Sequence, residues 1–321
     1  MSDMIKKIKS IEYRLLPQLL LIPALLVTNA VWTDSSKVRT DTTSIDSVFH
    51  DTSQVSITLP LENKKISSLS HFPVVENQAF KKGEKITYSI HFGFIRAGSA
   101  TMEVQNETTL NGRSCYHIRT TARSAAAFNF IYKVEDVVDS FIDKEGLFSW
   151  KFDKRLREGG YKADMLVNYY PQDSLADVTF IRYKDRMKVY KQQKYSVKTP
   201  PFALDILASL YYTRTQKLEI GKSLFITNHD NKKIYELEVK VYQKETIKTD
   251  AGEFECLVVE PLLRGEGLFK QKGKLKIWLT NDQYKIPILM TSEIAVGHIT
   301  TEVEKIEGIS GKIPARIRSD E

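Results

Sequence analysis

Four acids fall within one short stretch, Glu135, Asp136, Asp139 and Asp143. Two carboxylates held at a fixed separation are the equipment of a glycosidase, one acting as acid and the other as nucleophile or base. Strand alternation sets Glu135, Asp139 and Asp143 on one face. The plainer reading, carried forward here, is a solvated strand face ending in a turn aspartate, because acids are mostly surface residues. The two cysteines, Cys115 and Cys256, are the other reactive candidates. An even count in an exported chain permits a disulfide. Yet Cys115 shares parity with Arg113 and His117, whereas Cys256 shares it with Phe254 and Val258. A bridge needs Cα atoms within about 7 Å, so separate thiols are the favoured expectation. Neither cysteine has the His or Asn context of a catalytic thiol.

The six histidines (His50, His71, His91, His117, His229 and His298) are never two, three or four residues apart. No local metal motif results, and neither metal nor cofactor is expected. Phosphate-binding loops, HExxH and a GxSxG elbow are missing from the sequence. Gly308-Ile309-Ser310-Gly311 lacks the elbow's spacing and its following helix.

The elements around these residues read as β-strands. Ala100, Met102 and Val104 alternate with Thr101, Glu103 and Gln105, and Leu237, Val239 and Val241 alternate with Glu236, Glu238 and Lys240. Period-two alternation gives strands with one buried face. Asn111-Gly112, Asp143–Gly146 and Asp250–Gly252 supply the turns. The pattern is spelled twice. Gly83 lies 32 positions before Cys115 and Gly221 lies 35 before Cys256, and each copy continues into a similar hairpin, Asp139–Phe152 against Lys276–Leu289. The pseudo-repeats run from about 83 to 195 and from about 221 to 307. Gly93, Gly98 and Gly265-Glu266-Gly267 are expected to let the sheet bend.

One segment, 201–214, reads as a helix between the copies. Pro200-Pro201 precede it, and its polar positions Asp205, Ser209 and Thr213 form one thin stripe. A helix apolar on nearly every side must be surrounded. A second helical turn is expected over Ser124–Phe130. The fold class is therefore mainly β: a curved antiparallel sheet, or open half-barrel, made of two similar meanders wrapping a central apolar helix. Phe92, Phe94, Trp150, Phe202, Ile206, Leu207, Leu210, Tyr211 and Trp278 are the candidates to line an apolar cavity, against the alternative of a filled core.

The ends differ in character. Basic residues up to Arg14, the apolar run Leu15–Val27 and Thr28-Asn29-Ala30 form the layout of a signal peptide over 1–30. The alternative is a tether through 15–31, which falls short of the about 20 residues a span needs. Residues 31–71 read as a polar linker in which only Val55–Leu61 could form an edge strand, and 308–321 as a frayed tail. The domain is 72–307. The chain has 321 residues, 42% hydrophobic and 27% charged, with 47 basic against 40 acidic residues. That excess suits an anionic membrane surface better than nucleic acid, for which no basic aromatic motif is present.

Gly83-Glu84, Tyr88, Gly93 and Arg96-Ala97-Gly98 come in an order that resembles an exported bacterial family, domain of unknown function 3108. Tyr132-Lys133-Val134, Asp139, Thr249, Ala251-Gly252, Phe254, Cys256, Gly265–Gly273 and Trp278 continue the resemblance over roughly 72–306. It implies an exported envelope protein in the periplasm of a Gram-negative bacterium, and it implies no activity. A sheet wrapped round an apolar helix is also similar, at the level of fold, to periplasmic lipoprotein carriers. The leading expectation is a non-enzymatic protein that binds an apolar ligand such as lipid. A scaffold acting through an envelope protein partner is the alternative, and an envelope hydrolase the second.

Overall fold

The computed structural model describes residues 71–130, 132–264, 275–294 and 297–318. The expected signal peptide, the linker with Val55–Leu61, His50 and the Gly265–Gly273 segment lie outside the described residues.

The first copy supplies β1 (Lys85–Phe92), β2 (Ile95–Val104), β3 (Thr108–Leu110), β4 (Arg113–Ser124), β5 (Glu135–Asp143), β6 (Ser149–Glu158), β7 (Tyr161–Tyr170), β8 (Leu175–Tyr183) and β9 (Val189–Lys198). The second supplies β10 (Ser223–Asp230), β11 (Lys233–Thr249), β12 (Gly252–Arg264), β13 (Leu275–Thr280), β14 (Pro287–Ile294) and β15 (Gly297–Glu307). All join one sheet whose path runs β10 to β15, then β1, β2 and β4 to β9. Every strand pairing is antiparallel, and β1 against β15 welds the two copies together. The mainly β curved open sheet expected from the alternation is what forms.

The duplication extends to single hydrogen bonds. The Gly83 N–H donates to the Val104 carbonyl at 2.8 Å, and the Gly221 N–H to that of Val241 at 2.9 Å. The Asp143 N–H reaches the Phe148 carbonyl at 2.8 Å, and the Thr280 N–H that of Ile286 at 2.9 Å. In each of these turns an aspartate, Asp143 or Asp282, accepts two backbone N–H groups. Gly98 shows why one glycine is needed: an added Cβ would collide with the Arg123 carbonyl of β4, beside an irregularity in the β1–β2 register.

The helix, α1 (Ile206–Thr215), starts later than the sequence suggests. Phe202 takes a left-handed φ of 59°, and Leu204 instead pairs with Asn228 of β10. Asp205 is the N-cap, accepting from the N–H groups of Leu207 and Ala208 at 2.9 and 3.0 Å. Leu207, Ala208 and Tyr211 are fully buried, as expected of a surrounded helix. The thin polar stripe is used: Asn228 donates to Ser209 Oγ at 3.0 Å. At the other end Arg214, fully buried, donates twice to Glu84 at 2.7 and 2.8 Å and to the carbonyls of Tyr284 and Ala79.

The second helical turn is a single 3-10 turn over Ala126–Phe128. The expected frayed tail is a correction in part. β16 (Arg316–Arg318) pairs with β12, and the Ala315 N–H donates to Asp282 at 3.1 Å. The backbone groups of this segment have partners, which local periodicity could not reveal.

Candidate functional site

The residues predicted to line a cavity do not converge. Phe94 projects from the β1–β2 turn with 93% of its surface exposed, while Phe92 packs half-buried on the core. Trp150 and Phe202 belong to a separate cluster with Phe72, Leu110, Cys115 and Phe148. Ile206, Leu207, Leu210 and Tyr211 lie in the main core. Trp278 is there too, its indole N–H donating to Glu245 at 2.7 Å. Of the β6 aromatics, Trp150 packs with Phe148 and Phe202 in the smaller cluster while Phe152 packs in the main core. Beneath α1, a crevice of about 20 Å³ is lined by Ile206, Leu210, Val239, Val259, Ile277 and Leu279. That is room for about one water.

The carboxylates of β5 are more interesting than a solvated face. Glu135 is exposed and pairs with Lys133 at 3.0 Å. Asp139 is 2% exposed. It accepts from Arg119 and Arg155 at 2.6 Å, and His117 Nε2 lies 2.6 Å from it. These partners outweigh its burial and hold its carboxyl down at about 2. Asp143 accepts from Arg113 Nε at 2.5 Å and from the Trp150 indole at 3.1 Å. Its carboxyl is also held low against burial. The expectation of solvation is thus corrected: two of these acids are buried under arginines, and an acid held ionised by arginine cannot serve as the proton donor of a glycosidase pair.

Asp136 points the other way, into the sheet's concave side, where it meets Glu158 at the end of β6. Each is 1% exposed. Burial pushes Asp136 up to about 6, and burial together with the Asp136 charge pushes Glu158 well above its usual range. Tyr132, Lys154, Tyr161 and Arg182 surround the pair, with Arg182 stacked 3.4 Å over the Tyr161 ring. Asp230 of the β10–β11 turn lies 4.0 Å from Lys154. Glu158 was not singled out from sequence, although its parity with Trp150, Phe152 and Leu156 places it on the inner face.

Both cysteines are free thiols, fully buried in different clusters. Burial raises each to about 12, which removes them as nucleophiles. Each lies near the backbone carbonyl two residues earlier, another trace of the duplication. His229 is buried against Tyr169, its Nδ1 3.1 Å from the phenol, and His117 stacks on Phe141. Among the described residues no group of three or more His, Cys, Asp or Glu is arranged to hold a metal ion.

The sheet has two open edges. β9 is exposed over most of its length and carries Lys191, Lys194 and Lys198. Lysines on an edge oppose pairing with another strand. β10 carries no lysine, and Phe225 on it is 52% exposed beside Ile220 at 52% and Tyr242 at 43%. The two edges touch where Tyr195 donates to Asn231 and Lys232 covers the Tyr195 ring.

Residues 87–304 match a family described as "Protein of unknown function (DUF3108)". No curated protein matches the chain. Among solved structures, a β-barrel-like protein of domain of unknown function DUF1849 from Brucella abortus is 10% identical, with a TM-score of 0.45 over 75% of this chain and 100% of its own. A Bacteroides fragilis protein described as exported, with a YmcC-like fold, is 12% identical over 74% of this chain and 98% of its own, TM-score 0.32. A Parabacteroides distasonis protein described as a lipoprotein is 12% identical over 74% and 100%, TM-score 0.29.

Proposed function

This chain belongs to the DUF3108 family of proteins of unknown function, and from that premise we propose that it is an exported, non-enzymatic envelope scaffold that takes up a partner polypeptide along the β10 edge. The observation that carries this reading is the contrast between the lysine-bearing β9 edge and the β10 edge, which carries no lysine and has apolar side chains exposed beside it. β10 ends the sheet path, and Ile220, Phe225 and Tyr242 are exposed on or beside it. An extended segment can add there as a further strand, gaining main-chain hydrogen bonds and apolar contacts together. The arginine-locked acids of β5 and the buried thiols support a structural rather than catalytic use of those groups. The export layout of residues 1–30 supports the envelope location.

A second reading, apolar-ligand binding, is supported by the crevice under α1, whose walls are aliphatic. It requires α1 to move, since an acyl chain needs far more than one water's space. Native mass spectrometry on protein purified from the envelope of its host separates the two. The scaffold reading expects a stoichiometric polypeptide that is lost from Phe225→Lys/Thr227→Lys, which gives β10 the lysines of β9, with unchanged melting temperature. A stoichiometric lipid and no polypeptide overturns it in favour of the crevice.

A further inference from the structure

Antiparallel order places alternate turns at opposite ends of the sheet. The β1–β2, β4–β5, β6–β7, β8–β9 and β10–β11 connections share one end, and the β5–β6, β7–β8, β11–β12 and β13–β14 connections share the other. The first end carries the two most exposed aromatic side chains in the described structure, Phe94 at 93% and Phe130 at 73%. It also carries Met187 at 40%, Val189 at 53% and Tyr190 at 49% on the β8–β9 hairpin. With strands about 4.8 Å apart, the three apolar loops are spread over roughly 30 Å of rim.

The charge at the β8–β9 tip is unbalanced. Lys184, Arg186 and Lys188 stand around the hairpin tip with Asp185 between them, and 184–192 are all exposed. Elsewhere at this end cations are paired, Lys133 with Glu135 at 3.0 Å and Arg157 with Asp164 at 2.7 Å, so the excess sits at the β8–β9 tip. Arg186 and Met187 also hold left-handed φ values of 52° and 60°. Non-glycine residues adopt that conformation at a cost, which is commonly retained where a tip has work to do.

Separate convex tips, each apolar and flanked by cations, do not make a pocket for a protein side chain. They match a fluid interface, which accepts each tip where it falls and supplies anionic headgroups between them. We propose that this end of the barrel rests on a bilayer surface bearing anionic lipid, with Phe94, Phe130, Met187 and Tyr190 entering the interfacial layer. The inference uses the end opposite the exposed residues of the β10 edge, Ile220 and Phe225, and stands independently of the scaffold reading.

The test uses the full-length chain, so residues 15–31 are common to every sample. Phe94→Cys, Phe130→Cys and, at the opposite end, Val74→Cys (81% exposed) are each given an environment-sensitive thiol label. The native cysteines are buried and stay unlabelled. Vesicles are phosphatidylethanolamine with brominated acyl chains, with or without phosphatidylglycerol. The expected result is quenching and a blue shift at 94 and 130, but not at 74, when phosphatidylglycerol is present. Lys184→Glu/Arg186→Glu/Lys188→Glu, in the Phe94→Cys background and with its fold checked by circular dichroism, should abolish that quenching, since each cation near an anionic surface is worth about fivefold in partitioning. Labels at 94 and 130 as water-exposed as at 74 overturn the proposal. So does quenching that ignores both the lipid charge and the triple reversal.

Discussion

The two copies agree in their corners and turns and differ in what they place inside. In the first, Asp136, Lys154 and Glu158 project into the concave side, and Lys154 is 9% exposed. In the second, the equivalent face is Leu237, Val239, Val259, Ile277 and Met290, all buried and apolar. The corners differ as well. Glu84, following Gly83, is locked to Arg214 in the core, whereas Lys222, following Gly221, stays on the surface with Glu219. The two segments thus share these backbone hydrogen bonds while their side chains differ, because ladder and turn geometry constrain the backbone alone.

The largest test of that asymmetry is Arg214→Ala. It leaves Glu84 buried without its partner, and the expected loss is about 3–5 kcal/mol in urea unfolding. Lys222→Ala, the matching change in the second copy, should stay within about 0.5 kcal/mol. Equal losses would sink the idea that only the first corner is a lock.

The inner pair comes next. Asp136 is raised to about 6, so the native state binds its proton more tightly than the unfolded chain does. Stability is therefore lost as pH rises from about 3.8 through 6, by up to about 3 kcal/mol. Asp136→Asn should flatten that part of the pH–stability curve, and a curve no flatter than wild type would refute the assignment. Asp139, three residues on and facing outward, has the opposite sign. Its carboxyl is lowered to about 2, so its contribution is present above about 3.8 and lost as pH falls through 2, on the order of 2 kcal/mol. Asp139→Asn should remove that acid-side slope while leaving the other in place.

The smallest effect concerns the cysteines, where the copies agree. Neither Cys115 nor Cys256 should react with a thiol reagent under native conditions, and both should react in guanidinium, with no change in mass on prior reduction. Rapid native labelling of one alone would show that the two clusters are unequally closed.

Much of this fold was legible because alternation and turn residues are local signals. Ala100–Val104 and Leu237–Val241 are buried as their period requires, and Asn111-Gly112 makes the expected turn with φ of 50° and 77°. The helix was legible from its lack of a polar face, though its start was not, since Asp205 caps it from a position that periodicity counts as interior. The candidate site was far less legible. Which acids meet depends on strand register: Asp136 reaches Glu158 only because Val134 bridges to it across the sheet. Arg214 reaches Glu84 across 130 residues of chain. Apolar type alone could not say that Phe94 stands in solvent while Trp150 packs in a second cluster.

The weld between β1 and β15 pairs Lys85 with Glu307. A ribosome or translocon delivers Lys85 long before Glu307, so the centre of the sheet closes only after nearly all of its other strands have been made. Pairings this remote in sequence make for slow folding. Until Glu307 arrives, β1 is a further open edge, with Lys85 at its start against the three lysines of β9. The nascent protein is thus most vulnerable to strand-mediated aggregation at the very place that is most protected once folding is complete.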